Sequence, residues 1–245
     1  MAQLGLDYPS AWGRRRTARL IRRFIQNVGL VPYVRWFSSL GVRGLSNLEG
    51  LEPVIFAANH TTNLDTPLVL SALPARVRSR TVVAAAMDNF FMDSTTAFKT
   101  VIVFNAIPID RHKVNRRSSE LALELIEAGW NLLIYPEGGR TPNGDLQPFK
   151  GGAAYLAERS RMPVIPVYVY GAGPLRAAKY AKAPQYVNGP KFNRHKVVVA
   201  FGPAVHCEED ESIRRFNGRI EDAVVALGRV VSADPNLSIT RATPN

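Results

Sequence analysis

Apolar positions along this 245-residue chain fall into two alternating rhythms. Residues 54–58, 81–86, 131–135, 164–170 and 196–202 are short, nearly unbroken apolar runs, the length and composition of buried strands. Between them, apolar residues step by three and four. Residues 116–128 carry Leu121 and Leu125 on one face and are closed by Gly129. Residues 66–73 open with Pro67, suited to a first helical turn, and residues 153–159 form a further helix. A last helix over 211–231 places Ile213, Phe216, Ile220, Val224, Leu227 and Val231 on one stripe, with Glu208, Glu209, Asp210 and Glu211 at its favourable amino end. Residues 102–111 are also strand-like, but Pro108 cannot donate to a sheet ladder, so the piece belongs at an edge, a bulge or a turn. Strands alternating with helices predict an α/β fold, a mostly parallel central sheet with helices on both faces. In such sheets the functional loops gather at the carboxyl ends of the strands.

Residues 12–28 have a different pattern. On a helical wheel five of their six arginines share one sector, with Arg14 the misfit, and Leu20, Ile21, Phe24, Ile25 and Val28 occupy the opposite one. Tyr33, Trp36 and Phe37 follow, aromatics of the kind favoured at a membrane interface. No run approaches the roughly 20 apolar residues that span a bilayer, and arginines interrupt any signal-peptide core. The expected organisation is an N-terminal amphipathic membrane-associating segment over 1–43, an α/β domain over 44–232 and a polar tail over 233–245. A helix that packs its apolar face on the domain fits the same pattern.

Charge sharpens this picture. Residues 1–43 hold eight arginines against one acid, Asp7, and so carry most of the net charge of +11. Such a patch expects a polyanion, either nucleic acid or an anionic membrane surface. With 46% hydrophobic and 21% charged residues the chain is globular. Cys207 is the single cysteine, which excludes an internal disulfide and a cysteine metal cluster and fits a cytosol-facing location.

Three turns carry candidate chemistry. The first, Asn59-His60-Thr61-Thr62-Asn63-Leu64-Asp65, joins the run 54–58 to the helix 66–73. On a continuous helix His60 and Asp65 would point apart, but a turn lets the carboxylate meet the imidazole. Held at one nitrogen, the ring keeps the other free to take a proton from a hydroxyl, as a general base does. A turn-capping Asp beside an unrelated surface His fits the bare spacing equally. The second turn, Ile109-Asp110-Arg111, can present a guanidinium fork to a phosphate; a surface pair of Arg111 with Asp110 is the plainer alternative. In the third, Pro136-Glu137-Gly138-Gly139-Arg140-Thr141, two glycines let a ligand approach the backbone while Glu137 reaches substrate hydroxyls or steadies Arg140. Lys150 stands beside the amino end of the helix at 153–159, a place that attracts anions. Gly171-Ala172-Gly173 lacks the third glycine of a dinucleotide fingerprint, and His112, His195 and His206 show no metal-ligand spacing.

In this order, and followed by residues 164–167, these turns resemble the sequence blocks of the glycerolipid acyltransferases, the family of the 1-acylglycerol-3-phosphate acyltransferases. Asn59-His60-x4-Asp65 is similar to the catalytic block, Ile109-Asp110-Arg111 to the phosphate-binding block, and Tyr135 to Thr141 to the acceptor-binding block. Phe149-Lys150-x-Gly152 and Pro166 match later stretches. Asn105, Pro108 and Gly139 depart from the usual Gly, Phe and Thr; Asn tolerates a left-handed backbone, so the first departure is mild. The resemblance implies transfer of a fatty acyl group from acyl-CoA or acyl-ACP to a hydroxyl of 1-acylglycerol 3-phosphate. His60 and Asp65 are then catalytic, Arg111, Arg140 and Lys150 bind the acceptor phosphate, and Glu137 and Gly138 contact the acceptor. No cofactor or metal is expected. The implied partners are the acyl thioester, the glycerol-phosphate acceptor, an anionic membrane surface on the cytoplasmic face of the cell membrane, and acyl carrier protein. Glycerol 3-phosphate as acceptor, or another lipid hydroxyl, is compatible with the same blocks; nucleic-acid binding leaves the three turns unexplained.

Overall fold

The computed structural model describes residues 4–111, 116–140, 146–172 and 195–233. Thr141, His112, the segment 173–176 and the tail from 234 lie outside the described residues. Seven strands form one sheet: β1 (Ser38–Arg43), β2 (Ile55–Ala58), β3 (Thr81–Ala86), β4 (Ala106–Ile109), β5 (Asn131–Ile134), β6 (Val164–Tyr170) and β7 (His195–Phe201). Their order is β1-β7-β6-β2-β5-β3-β4, and every pairing is parallel except β6 with β7.

Alternation along the strands sorts side chains between two layers of helices. Phe56, Ala58, Val83, Leu133, Ile165 and Val167 face a layer that includes α2 (Val31–Phe37), α3 (Asp65–Ala72) and α4 (Ala75–Ser79). Ile55, Ala57, Val82, Leu132 and Val164 face the opposite layer, built from α7 (Arg116–Glu127), α8 (Gly152–Ser160) and α9 (Ile213–Ala233). Phe216, Ile220 and Val224 of α9 are fully buried there, the stripe read from the sequence. That helix continues to Ala233, one residue past the boundary expected for the tail.

The stretch 102–111 is not one strand. After the short α5 (Met87–Phe90), helix α6 (Ser94–Phe104) runs through the first residues of this stretch, Asn105 takes a left-handed conformation (φ 56°), and only Ala106–Ile109 forms β4. The apolar residues 102–104 are helical because they close α6; Asn105 then reverses the chain, a conformation open to few residues besides glycine. Strand β4 is an edge strand, where Pro108 costs no ladder bond on the open side.

The amino-terminal region also departs from the expectation of a single helix over 12–28. A 3-10 turn (Ser10–Arg14), α1 (Arg16–Phe24) and a π turn (Ile25–Leu30) lead into α2, which has Pro32 in its first turn. Residues 38–43, counted with this region on charge, are the sheet strand β1 beside β7. One arginine of α1 turns inward while Arg16 and Arg23 stay exposed. Arg22 is 2% exposed and donates to the carbonyls of Gly13 (2.6 Å), Val101 (3.1 Å) and Ile102 (3.1 Å), while Gln26 donates to Val103 O at 2.8 Å. The carbonyls of 101–103 belong to the last turn of α6; Val101 O also accepts the capping N–H of Asn105 at 2.9 Å, and a cation and an amide complete the bonding of this helix end. Burial and the nearby Arg14 and Arg19 lower the Arg22 guanidinium to about 10, which leaves it charged at neutral pH. The apolar face points out: Leu20, Ile21, Phe24, Val28, Tyr33 and Trp36 are each more than half exposed. No helix among the described residues is long and apolar enough to cross a membrane.

Where β2 ends, a side chain continues its ladder. Asn59, 2% exposed, accepts from Val169 N through Oδ1 (2.7 Å) and donates from Nδ2 to Val169 O (3.2 Å), so the chain stays tied to β6 as it turns toward His60. Asn59→Ala would strand both buried groups, at about 1 to 3 kcal/mol each for the unmet bonds. Its denaturation midpoint in urea is expected to fall clearly below that of the wild type; an unchanged midpoint would show that the side-chain bridge contributes nothing.

Candidate active site

Three strand ends converge here. His60 follows β2, Arg111 follows β4 and the glycine pair follows β5, all at the carboxyl edge of the parallel part of the sheet. His60 Nδ1 lies 2.9 Å from Asp65 Oδ2. Asp65 opens α3 and is completely buried, a costly position for a carboxylate without partners. It has them: Oδ2 also accepts the backbone N–H groups of Thr61 (2.6 Å) and Thr62 (2.7 Å), and Oδ1 accepts the hydroxyls of Thr62 (3.0 Å) and Thr61 (3.3 Å). The two threonines wrap the carboxylate in the turn that it caps, and the imidazole takes what acceptor capacity is left.

A second carboxylate braces the same turn from behind. Glu137 accepts His60 N–H at 2.6 Å through Oε1 and Gln147 N–H at 2.9 Å through Oε2, and it is buried. Its oxygens serve the backbone, and it does not line the cavity described below, although the sequence suggested contact with an acceptor. Tyr135 stacks on His60 with centroids 4.1 Å apart and planes at 24°, and its hydroxyl shares a hydrogen bond with Thr66 Oγ1 at 2.8 Å. Burial, then the charge of Asp65, raises the Tyr135 phenol well above its ordinary value, so it stays neutral.

His60, Thr66 and Tyr135 border a cavity of about 280 Å³. Its far walls are apolar, with Val83, Ala84 and Ala85 of β3 and Phe104 of α6 among them, while Arg111, Gly138, Gly139 and Arg140 form a polar side. Both arginines expected to bind a phosphate therefore reach the cavity that holds His60. Arg111 pairs with Asp88, Nε at 3.1 Å and the terminal nitrogen at 2.6 Å, whereas the plainer alternative in the sequence was a pair with Asp110. Lys150 is placed differently from expectation. Its Nζ donates to the Arg111 carbonyl at 2.7 Å, beneath Gly138, and it does not line the cavity. Gly138 has φ +70°, the left-handed region that favours glycine, and a Cβ there would also displace the Lys150 side chain, whose nitrogen would lie 2.6 Å away. Among the described residues no group of histidine, cysteine and acidic side chains is placed to hold a metal.

Sequence reasoning missed the partners of the central pair. Thr61 and Thr62 carried a signal, because hydroxyls and free N–H groups next to an aspartate make local turns. Tyr135 gave none, since its stacking depends on how β5 lies beside β2.

The Acyltransferase family model matches residues 39–170, which enclose all the turns just described. The 1-acyl-sn-glycerol-3-phosphate acyltransferase beta of Homo sapiens is 28% identical over 154 residues, covering 59% of this chain and 53% of that protein. The alpha enzyme of Mus musculus is 30% identical over 131 residues, covering 51% and 43%. The chain thus spans about half the length of these curated relatives. The crystal structure of the 1-acyl-sn-glycerophosphate (LPA) acyltransferase PlsC from Thermotoga maritima superposes with a TM-score of 0.64, covering 91% of this chain and 88% of that one at 18% identity. That likeness is one of fold.

Proposed function

Because the chain belongs to the acyltransferase family, whose model covers more than half of it, we propose that it moves a fatty acyl group from an acyl thioester to the free hydroxyl of 1-acylglycerol 3-phosphate, giving phosphatidic acid. The observation that carries this reading is the 2.9 Å contact of His60 Nδ1 with a buried Asp65 at the edge of a cavity that also receives two arginines. With Nδ1 committed to the carboxylate, Nε2 is the nitrogen that accepts the proton. The acceptor oxygen then attacks the thioester carbon, the C–O bond forms, and the tetrahedral oxyanion expels the thiol sulfur as the C–S bond breaks. The imidazolium returns its proton to the leaving thiolate. Asp65 stabilises the imidazolium while it exists. No covalent acyl-enzyme and no cofactor is needed; acyl-CoA or acyl-ACP is a co-substrate.

Arg111 and Arg140 are assigned to the acceptor phosphate, for which a guanidinium fork is well matched. Lys150 supports this pair from below by holding the Arg111 carbonyl, and Glu137 supports His60 in the same manner. The apolar walls suit an acyl chain, which gains roughly 0.8 kcal/mol per buried methylene.

The outward apolar face of α1 supports a peripheral location on a membrane surface. An exposed apolar stripe on a helix tied to the domain through the buried Arg22 has lipid as its natural partner, and the exposed Arg15, Arg16, Arg23 and Arg35 suit anionic headgroups. We assign this surface to the cytoplasmic face of the cell membrane.

In a thiol-release assay with acyl-CoA and lysophosphatidate, and glycerol 3-phosphate as a parallel acceptor, His60→Ala is expected to lose about 10² to 10⁴ in rate while its thermal transition is kept. A rate within about threefold of wild type would end this mechanism. For the membrane reading, Phe24→Glu combined with Leu20→Glu is expected to abolish sedimentation with vesicles containing phosphatidylglycerol and to leave thiol release with a short-chain soluble acceptor intact. Undiminished sedimentation would refute it.

A further inference from the structure

A general base is only as effective as the fixity of its ring, because small misplacements of a reacting group carry large rate penalties. For His60 one hydrogen bond does not supply that fixity. Asp65 pins Nδ1 at 2.9 Å and Glu137 pins the backbone N–H at 2.6 Å, yet an imidazole held at one nitrogen still swings about that bond. The ring plane needs a contact of its own. On one side lies the cavity; Tyr135 lies against the ring with centroids 4.1 Å apart and planes at 24°, a stacked rather than edge-on arrangement.

Tyr135 is itself fixed at both ends. Its backbone directly follows β5, and its hydroxyl meets Thr66 Oγ1 at 2.8 Å. Thr66 is the neighbour of Asp65 in the first turn of α3, so the phenol meets the same turn of helix that pins the imidazole nitrogen. The ring also offers its negative face to whatever charge the imidazole acquires.

We infer that Tyr135 is a positioning residue for the transfer: its stacked ring locks the plane of His60 so that Nε2 is held toward the cavity, and its face favours the imidazolium formed as the hydroxyl loses its proton. The inference rests on His60 acting as the base. The hydroxyl of Tyr135 has no chemical role in it and serves only to seat the ring on Thr66.

The test compares Tyr135→Leu and Tyr135→Phe in the full chain, by thiol release and by the downfield proton resonance of His60 Nδ1–H. Tyr135→Leu is expected to lower kcat about tenfold, within the roughly 2- to 30-fold that an aromatic face beside a cation supplies, with the KM of both substrates unchanged and the Nδ1–H signal broadened. Tyr135→Phe, which keeps the ring on His60, should stay within about threefold of wild type and keep the signal. Tyr135→Met, which fills much of the same space without a ring, replaces Tyr135→Leu if the latter does not fold. Wild-type kcat in the non-aromatic variant, a loss of kcat with an unaltered Nδ1–H signal, or a phenylalanine variant as impaired as the leucine one would each overturn the inference. An active His60→Ala would instead sink the base itself, whereas an inactive His60→Ala beside an unimpaired Tyr135→Leu would remove only the role of Tyr135.

Discussion

A carboxylate with no access to water organises this molecule. Taking Asp65 out of solvent costs several kcal/mol unless its charge is met. The chain meets it locally, with two backbone N–H groups and two threonine hydroxyls from the residues immediately before it. That closure forces the seven-residue turn into one shape and leaves one further interaction for the imidazole of His60. Orientation of the histidine is therefore a by-product of satisfying the aspartate. The same turn starts α3, whose Leu68, Val69 and Leu70 are buried against the sheet, so the site cannot shift without moving core.

The parallel sheet supplies the rest. Strands β2, β5, β3 and β4 run in one direction side by side, and their carboxyl ends deliver His60, a glycine-rich loop and an arginine to one cavity. Cross-links between the loops are made mostly to backbone: Glu137 to His60 N, Lys150 to Arg111 O, Asn59 to Val169. Fixing main chain in this way leaves the side chains of Arg111 and Arg140 to face the cavity. The amino-terminal region is joined to the same frame through the end of α6, where Arg22 and Gln26 donate to the carbonyls of the last turn. Since Phe104 of α6 also walls the cavity, the outward-facing helix and the binding site share one support.

Much of this was legible in the chain, for identifiable reasons. Strands β2, β3, β5, β6 and β7 show as apolar runs because both faces of a covered sheet are buried, and α9 shows because one stripe of it is. Pro108, by its missing donor, narrowed its stretch to an edge, a bulge or a turn, and the edge is what the sheet shows. What eluded the pattern depended on partners distant in sequence. Strand β1, Ser-Ser-Leu-Gly-Val-Arg, has little alternation of its own and exists because β7 pairs with it. Residues 102–104 look like a strand and are helical because tertiary packing overrides short-range preference. Glu137 and Lys150, charged residues in glycine-rich loops, read naturally as ligand contacts; the backbone groups that they serve come from other loops. The direction in which α1 turns its two faces was likewise undetermined, since amphipathicity says that two faces differ and not which is buried.

The arrangement stands or falls on whether the buried carboxylate sets the state of the imidazole. Asp65→Asn keeps the shape of the side chain but presents an amide N–H2 or a weaker acceptor to His60 Nδ1, so the wrong nitrogen is left to face the cavity. Thiol release by this variant, measured with lysophosphatidate at saturating acyl-CoA and with its folding verified by circular dichroism, is expected to be slower by about 10³ to 10⁴. A folded Asp65→Asn enzyme that works within about tenfold of wild type would contradict the account.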